Sequence, residues 1–307
     1  MKNLPTLHQL RLFEHTARTG NFGKAAESLH LTPPALSIQM RQLEETLGVA
    51  LFDRIGRRKH LSSAGREVLS SCRNIFHELD DMTMRLSQLR GGMAGTIRIS
   101  VVSSAKFFIP HLMGAFRQLY QGVEFQLTVA NRAQIVARLA DNLDDFVILS
   151  HLPSEVQVDT VSFLSNPLVV VAAPDHPLVK EPRIDLNRLS QEEFLLREIG
   201  SGTRFSTEAI FAEQATPLHC AMELGSSEAI KQGVMAGLGV SILSRHCVWM
   251  ELQGDYLVEL PVEGFPQQGH WYAVSLNQKK LSPVAQTFID YLASSSEEVI
   301  NGLEGFF

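Results

Sequence analysis

Residues 25–58, AAESLHLTPPALSIQMRQLEETLGVALFDRIGRR, place two helical patterns around a break of about three residues and end on a basic tail. Thr32 can cap the second helix, and Pro33 and Pro34 suit a first turn, where a missing N–H is no loss. Leu36, Met40, Leu43 and Leu47 then form one apolar stripe, and Gly48 ends the helix. Phe22, Ala25, Ala26 and Leu29 line the inner face of the shorter helix before it, and the two alanines let a neighbour cross closely. Two short helices so joined predict a helix-turn-helix, whose second member fits the DNA major groove. Ser37 and Arg41 stand one turn apart on its outer face, within reach of bases or phosphates. Periodicity alone fits equally a single amphipathic helix among many.

The flanking segments extend the pattern. Residues 4–19 read as a supporting helix with Leu4, Leu7, Leu10, Phe13 and Ala17 on one face and Gly20 as its stop. Leu51 and Phe52 read as the core of a wing whose tip gathers Arg54, Arg57, Arg58 and Lys59, a placement suited to phosphate or minor-groove contact as well as to a solvated turn. From residue 64 to about 90, Leu69, Cys72, Phe76, Leu79, Met82, Leu86 and Leu89 recur at spacings of three and four. That is a helix of roughly 40 Å whose narrow apolar seam needs a partner, most simply its own copy. Arg90, Gly91, Gly92 and Gly95 then mark a hinge.

The string LTPPALSIQMRQLEETLGVALFDRIGRRKHLSSAG closely resembles the N-terminal signature of LysR-type transcriptional regulators: a helix-turn-helix, LFDR, a short basic wing, and a T/S-x-A-G that opens a long helix. The resemblance is dense over residues 4–66. It implies a linker helix that pairs protomers and sets two recognition helices on one pseudo-palindrome. Pro33 departs from it, standing where the family commonly has a glutamine that can contact DNA. The candidate DNA-contacting residues are Asn21, Lys24, Thr32, Pro34, Ser37, Ile38, Arg41, Arg54, Arg57 and Arg58.

Charge supports that division. The chain is −6 overall, but residues 1–90 hold 13 Lys and Arg against 9 Asp and Glu (+4), and the remainder 14 against 24 (−10). The basic part is the part with the helix-turn-helix, as expected if it meets phosphates while the acidic bulk stays off the DNA. At 307 residues, 45% hydrophobic and 20% charged, the chain suits two or three folded units. The opening MKNLPTLHQLRLFEH is not a signal peptide and no apolar stretch nears 18 residues, so a cytoplasmic protein without a membrane partner is expected. Cys72, Cys220 and Cys247 are odd in number and far apart, which predicts reduced, mostly buried thiols.

Beyond the hinge, strands and helices alternate. Ile97, Ile99 and Val101 alternate, then a helix over about 107–120, an alternating run at Val123, Phe125, Leu127 and Val129, a helix over about 135–142 and the strand FVILS at 146–150. A second series follows: LVVVAA at 168–173, FLLRE at 194–198, a helix over about 204–215, AMEL at 221–224, a helix from about Ser227, VSIL at 240–243, HWYAVSLN at 270–277 and an amphipathic helix at 283–293 that returns to the first series. The end from about Ser294 is expected to be loosely held. The expected architecture is therefore α+β and multidomain: a winged helix-turn-helix over 1–63, a linker and dimerisation helix with hinge over 64–91, and an effector-binding domain over 92–307. Within the last, one α/β subdomain takes about 92–166 plus 269–294 and the other about 167–268, a periplasmic-binding-protein-like arrangement that the family resemblance also implies.

Two turns from strand to helix carry small polar residues: Ser103, Ser104 and Lys106, and Ser201, Gly202, Thr203 and Arg204 after Gly200. Such turns offer N–H groups and a helix dipole to an anion, although helix capping explains either one alone. With Asn131 and Arg132 they converge at the C-terminal edge of a sheet, where open α/β folds bind ligands, and the cations suggest an anionic effector. The strings VSSAKFFIPHLMGAF, LTVANRAQIVARLADNLDDFVIL and GSGTR, with Ser37-Ile38-Gln39 in the recognition helix, resemble the LysR-type subgroup that controls carbon-fixation (Calvin-cycle) operons. That resemblance implies a phosphate-bearing effector; regulation of another operon through a carboxylate is the alternative.

Enzyme chemistry finds no support. Gly237-Leu238-Gly239 is no dinucleotide fingerprint, and neither a phosphate-binding GxxxxGK[ST] loop nor a GxSxG elbow occurs. The eleven histidines lack metal-ligand spacing, and Asp144 and Asp145 would face different ways. No cofactor is expected. A ligand-binding module of transport type is the remaining competitor, and it has no use for residues 1–90. The expected partners are double-stranded operator DNA, a small anionic metabolite, further copies of the chain as a dimer of dimers, and RNA polymerase.

Overall fold

The computed structural model describes residues 4–55, 58–89 and 93–304. They form two compact units, 1–83 and 84–307.

The first unit begins with three helices, α1 (Leu7–Thr19), α2 (Phe22–Ser28) and α3 (Pro33–Leu47). Thr6 and Gln9 close a reciprocal capping box on α1, which fixes its start at Leu7. Leu4 and Leu7, expected on the inner face, are therefore exposed at 84% and 50%. Leu10 and Phe13 do face inward, joined by Leu12, which a single stripe does not include. Thr32 Oγ1 accepts from the Ala35 N–H at 3.3 Å and Gly48 closes α3 at φ 72°, a left-handed conformation that costs glycine little. Leu36, Met40 and Leu43 are buried against Ala25, Ala26 and Phe13.

A hairpin follows, β1 (Phe52–Ile55) and β2 (Arg58–Leu61), with Arg54 opposite Lys59. Phe52 meets both Phe13 and Phe22 edge-on, at 5.6 and 5.0 Å between ring centroids. The long helix is α4 (Ser63–Leu89). Its apolar seam divides: Leu69, Cys72 and Phe76 join the core of the first unit, whereas Met82 and Leu86 are exposed at 51% and 52%. Arg90, Gly91 and Gly92 of the expected hinge lie outside the described residues.

The second unit consists of two α/β lobes. The first starts with β3 (Ala94–Val102), α5 (Ile109–Leu119), β4 (Gly122–Ala130), α6 (Arg132–Ala140), β5 (Phe146–Leu149) and β6 (Val158–Ser165). The chain then builds the second lobe from β7 (Leu168–Ala172), α7 (Leu186–Leu189), β8 (Phe194–Arg197), α8 (Gly202–Glu213), β9 (Cys220–Leu224), α9 (Ser227–Met235), β10 (Ser241–Ser244), α10 (Arg245–Gln253) and β11 (Val258–Glu259). It returns as β12 (His270–Leu276) and α11 (Pro283–Glu304). The first sheet has the order β4-β3-β5-β12-β6, with β3 parallel to β4 and β5 and with β12 antiparallel to β5 and β6. β5 is buried along its whole length, as an interior strand covered on both faces must be.

In the second lobe β7 lies between β10 and β11, and β8 pairs with β9 and reaches β10 through a bridge from Phe194 to Val240. Its strand alternation divides two cores. Leu168, Val170 and Ala172 pack with Phe211 of α8, while Val169 and Val171 pack with Ile230 and Val234 of α9 and Val248 of α10.

One further expectation is corrected, and one strand went unforeseen. The end from Ser294 is not loose: α11 continues to Glu304, with Ser296 and Ile300 buried and Glu297 accepting the Ser165 N–H at 3.1 Å. β6 went unforeseen because it is a sheet-edge strand whose outward residues are polar and whose apolar run is short. The cysteines are mostly buried, as expected: Cys72 and Cys247 are buried and Cys220 is exposed on β9. Burial pushes the Cys72 thiol up to about 11 and the Cys247 thiol up to about 12, so both stay protonated at neutral pH.

Candidate DNA interface and effector cleft

The outer face of α3 presents what a groove-reading helix needs. Arg41 and Ile38 are exposed, Pro34 lies one turn ahead of Ile38, and Ser37 is half-buried beside them. Asn21 and Thr32 are the caps of α2 and α3, so the side-chain oxygen of each already accepts a backbone N–H, from Lys24 at 3.1 Å and from Ala35. Lys24 itself is exposed in the first turn of α2. Glu44 ties the recognition helix to the wing, its carboxylate accepting from the Leu51 N–H at 2.7 Å and the Phe52 N–H at 3.3 Å. Lys59 does not project freely: its ammonium sits 3.8 Å from the centre of the Phe22 ring, a cation–π contact joining wing and α2. Arg54 is exposed on β1, Arg58 begins β2, and Arg57 at the tip lies outside the described residues.

The close approach that seats the wing is made at Gly65. Ser62 caps α4, accepting the Gly65 N–H at 2.9 Å and donating to the Ala50 carbonyl at 2.7 Å. A Cβ on Gly65 would lie 2.1 Å from the Leu51 carbonyl oxygen. The glycine of the S-x-A-G string is therefore a packing requirement.

In the second unit, the turns singled out from sequence meet at the edge of the two lobes. The Ser103 N–H donates to the Ala130 carbonyl at 2.9 Å, the Ala133 N–H to the Gly200 carbonyl at 3.2 Å, and Asn131 Nδ2 to Glu198 at 3.4 Å. Arg132, Ser201 and Arg204 line one pocket of about 390 Å³, together with Ala133, Ile199, Gly200, Phe205 and Glu208. Gly202 is not part of this lining, and a Cβ on it would make an ordinary contact of 3.8 Å with Arg132. Thr203 is half-buried, and its carbonyl accepts from Thr207 Oγ1 at 3.0 Å. Ser103, Ser104 and Lys106 do not line this pocket. The Ser104 carbonyl instead accepts from Cys247 on α10 at 3.4 Å, and the Lys106 ammonium lies 4.8 Å from the centre of the Phe107 ring.

Capping accounts for Asn131, whose side chain and that of Gln134 form a second capping box, but not for Ser104 or Ser201, neither of which makes a side-chain capping bond. The first-turn N–H groups of the twelve-residue α8 thus point out beside the pocket without a side-chain acceptor from Ser201. The two arginines differ. Arg204 pairs with Glu208 at 2.7 Å and with Glu223, whereas Arg132 donates to the His151 and Leu152 carbonyls at 3.4 and 3.2 Å and acts on the exposed Glu155 carboxylate only through its charge.

Sequence reading missed Arg197, His151 and Phe205. Arg197 ends a buried apolar strand, and its side chain, only 2% exposed, holds Glu198 through two hydrogen bonds of 2.8 and 3.0 Å and Ser227 Oγ through a third of 2.8 Å. A charge closing the run FLLR was the available signal. Burial opposes ionisation of Glu198, but the hydrogen bonds and charge of Arg197 prevail and hold its carboxyl below the usual range. Asp144 and Asp145 do face different ways: Asp144 pairs with Arg138 at 2.8 Å and Asp145 accepts the Arg98 N–H at 2.6 Å, both structural roles. No group of acidic, histidine and cysteine side chains able to hold a metal ion occurs among the described residues, and none of their helices is long and apolar enough to cross a membrane.

Comparison with known proteins agrees with both halves. Residues 7–66 match the bacterial regulatory helix-turn-helix protein, lysR family, and residues 90–297 match the LysR substrate binding domain. The chain is 47% identical to the HTH-type transcriptional activator CmpR of Synechocystis over 97% of its own length and 98% of that protein's. It is 43% identical to a RuBisCO operon transcriptional regulator of Acidithiobacillus ferrooxidans over 97% of this chain and 96% of that one. Among solved structures, the regulatory domain of Synechocystis CcmR in complex with 2-PG superposes at a TM-score of 0.63 with 41% identity, covering 66% of this chain and 97% of that one. Full-length CbnR complexed with its target DNA superposes at 0.69 with 21% identity, over 95% and 99%, and so shares the fold. With its DNA-binding and effector-binding halves both matched, this chain belongs to the LysR family of bacterial transcriptional regulators.

Proposed function

We propose that this regulator controls carbon-fixation genes and that a small phosphorylated anion, held between the lobes of its second unit, modulates its grip on DNA. The observation that carries the reading is the pocket in which Arg132, hydrogen-bonded to carbonyls, stands beside an α8 N-terminus that has no side-chain cap. Support comes from relatives that regulate the RuBisCO operon and from the related CcmR domain that holds 2-PG, that is, 2-phosphoglycolate. In this reading Arg132, Ser201 and Arg204 meet the anion in the pocket, and Ser103, Ser104, Lys106, Asn131, Gly202 and Thr203 belong to the turns around it. Ligand binding acts by stabilising one arrangement of the lobes over another.

In the same reading 1–63 binds operator DNA, 64–91 pairs protomers and 92–307 takes the effector. The exposed Met82 and Leu86 give the paired helix its apolar contact, and two such dimers make the tetramer. The protein works in the cytoplasm and contacts RNA polymerase. Asn21, Lys24, Thr32 and Pro34 sit at the phosphate-facing helix starts, Ser37, Ile38 and Arg41 read bases, and Arg54, Arg57 and Arg58 contact the backbone from the wing.

The test is a footprint on the intergenic region beside the gene, with and without 2-phosphoglycolate or ribulose bisphosphate. A change in footprint length or affinity is expected; indifference to both removes the carbon-fixation reading. Arg41→Ala is expected to weaken operator binding by about 1–3 kcal/mol and leave random DNA unaffected, as a bidentate guanine contact requires. Equal loss on both DNAs would make Arg41 a phosphate contact. Thr203→Ala is expected to shift the effector response to higher ligand concentration while leaving DNA affinity without ligand unchanged, measured by the same footprint across a ligand titration.

A further inference from the structure

The His151 ring joins the two lobes beside the pocket. Its Nδ1 lies 3.2 Å from Ser150 Oγ in the first lobe, and its Nε2 lies 3.1 Å from Ser206 Oγ on α8 of the second. Ser206 has one hydroxyl hydrogen and directs it to the Gly202 carbonyl at 3.0 Å. Its oxygen must therefore accept from Nε2–H, which leaves Nδ1 to accept from the Ser150 hydroxyl. The neutral ring is held in one tautomer with both nitrogens engaged.

Two residues that line the pocket also contact His151, one at its backbone and one at its ring. Arg132 donates to the His151 carbonyl, and the Phe205 ring meets the imidazole edge-on at 5.4 Å. Burial, and after it the Arg132 charge, keeps the imidazole below its ordinary value and hence neutral at pH 7. Of the other charged groups nearby, Arg204 pairs with Glu208 and Glu223 and Glu198 with Arg197, while Glu155, exposed on the loop that follows His151, already feels the Arg132 charge.

We propose that His151 is a positioning residue that clasps the two lobes over the anionic effector and gains a proton at Nδ1 as the anion enters. This rests on the effector reading given above. An anion beside Arg132 neutralises the charge that opposes protonation and adds an attraction of its own. The proton comes from solvent. The new Nδ1–H donates to Ser150 Oγ, so the Ser150 hydroxyl hydrogen must turn elsewhere. Ser150 Oγ lies 3.9 Å from where a Gly202 side chain would begin, so that hydrogen becomes available at the start of α8, where the anion is held. The Nε2–H bond to Ser206 persists and becomes charge-assisted, which tightens the contact between lobes. Because the ring's affinity for a proton is low when empty and higher when occupied, ligand affinity rises as pH falls between those two values, by at most about tenfold per unit for one proton.

The experiment is isothermal titration of the full-length protein with 2-phosphoglycolate at pH 7.5, where the ligand's phosphate is already ionised. It is run in two buffers of different ionisation heat and repeated with His151→Gln, whose amide can still donate to Ser206. Wild type is expected to take up a measurable fraction of a proton on binding, and His151→Gln to bind with that uptake lost. In wild type the histidine Cε1–H resonance shifting toward its cationic position on ligand addition gives the same answer without a variant. Binding without proton uptake, an unmoved resonance, or uptake that survives in His151→Gln overturns the proposal and leaves the effector reading standing. Absence of binding to wild type, with ribulose bisphosphate in place of 2-phosphoglycolate as well, overturns both.

Discussion

Gly65→Ala is expected to destabilise the N-terminal unit by about 3 kcal/mol, the upper part of the range for forcing an atom into a packed site. The new methyl group would fall 2.1 Å from the Leu51 carbonyl oxygen, which already accepts the Ser62 N–H at 3.0 Å. Neither partner can yield cheaply. Leu51 is fully buried, and Ser62 is held through its hydroxyl at both Ala50 and Gly65. Relief therefore requires the wing to move off α4, and with it the Glu44 hydrogen bonds that fix the recognition helix. The measurement is the thermal transition of the full chain together with operator affinity, and both should fall. Gly114→Ala is the control: the position lies inside α5 with nothing within 4 Å of the place an added methyl group would take, so alanine should be neutral or stabilising by up to about 1 kcal/mol. A Gly65→Ala protein that melts and binds like wild type would show that the contact relaxes without cost.

Arg197→Ala is expected to cost about 3 kcal/mol in the second unit, read as a lower urea midpoint for its unfolding. The arginine is almost wholly buried and satisfies Glu198 twice and Ser227 once, so its removal strands a carboxylate that is only partly reached by solvent. The pH dependence gives the sign. In wild type the lowered Glu198 value contributes stability that is present above the ordinary carboxylate range and disappears as pH falls through the folded value. The variant lacks that contribution, so the gap between the two proteins should narrow below about pH 4. A gap independent of pH would assign the loss to packing.

Local patterns carried the first unit. The Leu36, Met40 and Leu43 stripe, the Thr32 cap and the Gly48 stop are properties of consecutive residues, and each appears in the folded helix. The LSSAG string marked the start of α4, but the reason for its glycine lies fourteen residues earlier at Leu51. In the second unit the central strands were legible because burial on both faces demands unbroken apolar runs, as in FVIL and LVVVA. The edge strand β6 and the extension of α11 were not, since each is held by contacts with distant residues, such as Glu297 with Ser165. Turns bearing Ser, Gly and Arg indicated where the cleft lies, but not which cation lacks a hydrogen-bonded carboxylate. That distinction rests on Glu223 and Glu208 meeting Arg204 while the hydrogen bonds of Arg132 go to carbonyls. His151 was invisible for the same reason: its role depends on Ser206, 55 positions away.

The position of β12 bears on how the chain is made. This strand occupies the interior of the first sheet between β5 and β6, yet it is synthesised about a hundred residues after β6. At ribosomal speeds of about 5–20 residues per second, the first lobe waits roughly 5–20 s with an interior strand missing. During that interval the edges of β5 and β6 that β12 will cover lack their partner, and the apolar face that Phe288 and Leu292 of α11 will cover is bare. The helix-turn-helix, whose contacts are nearly all local, is complete before the wait begins. A nascent copy is thus competent to meet DNA before it is competent to meet an effector, and the second lobe, inserted between β6 and β12, folds before the first can close.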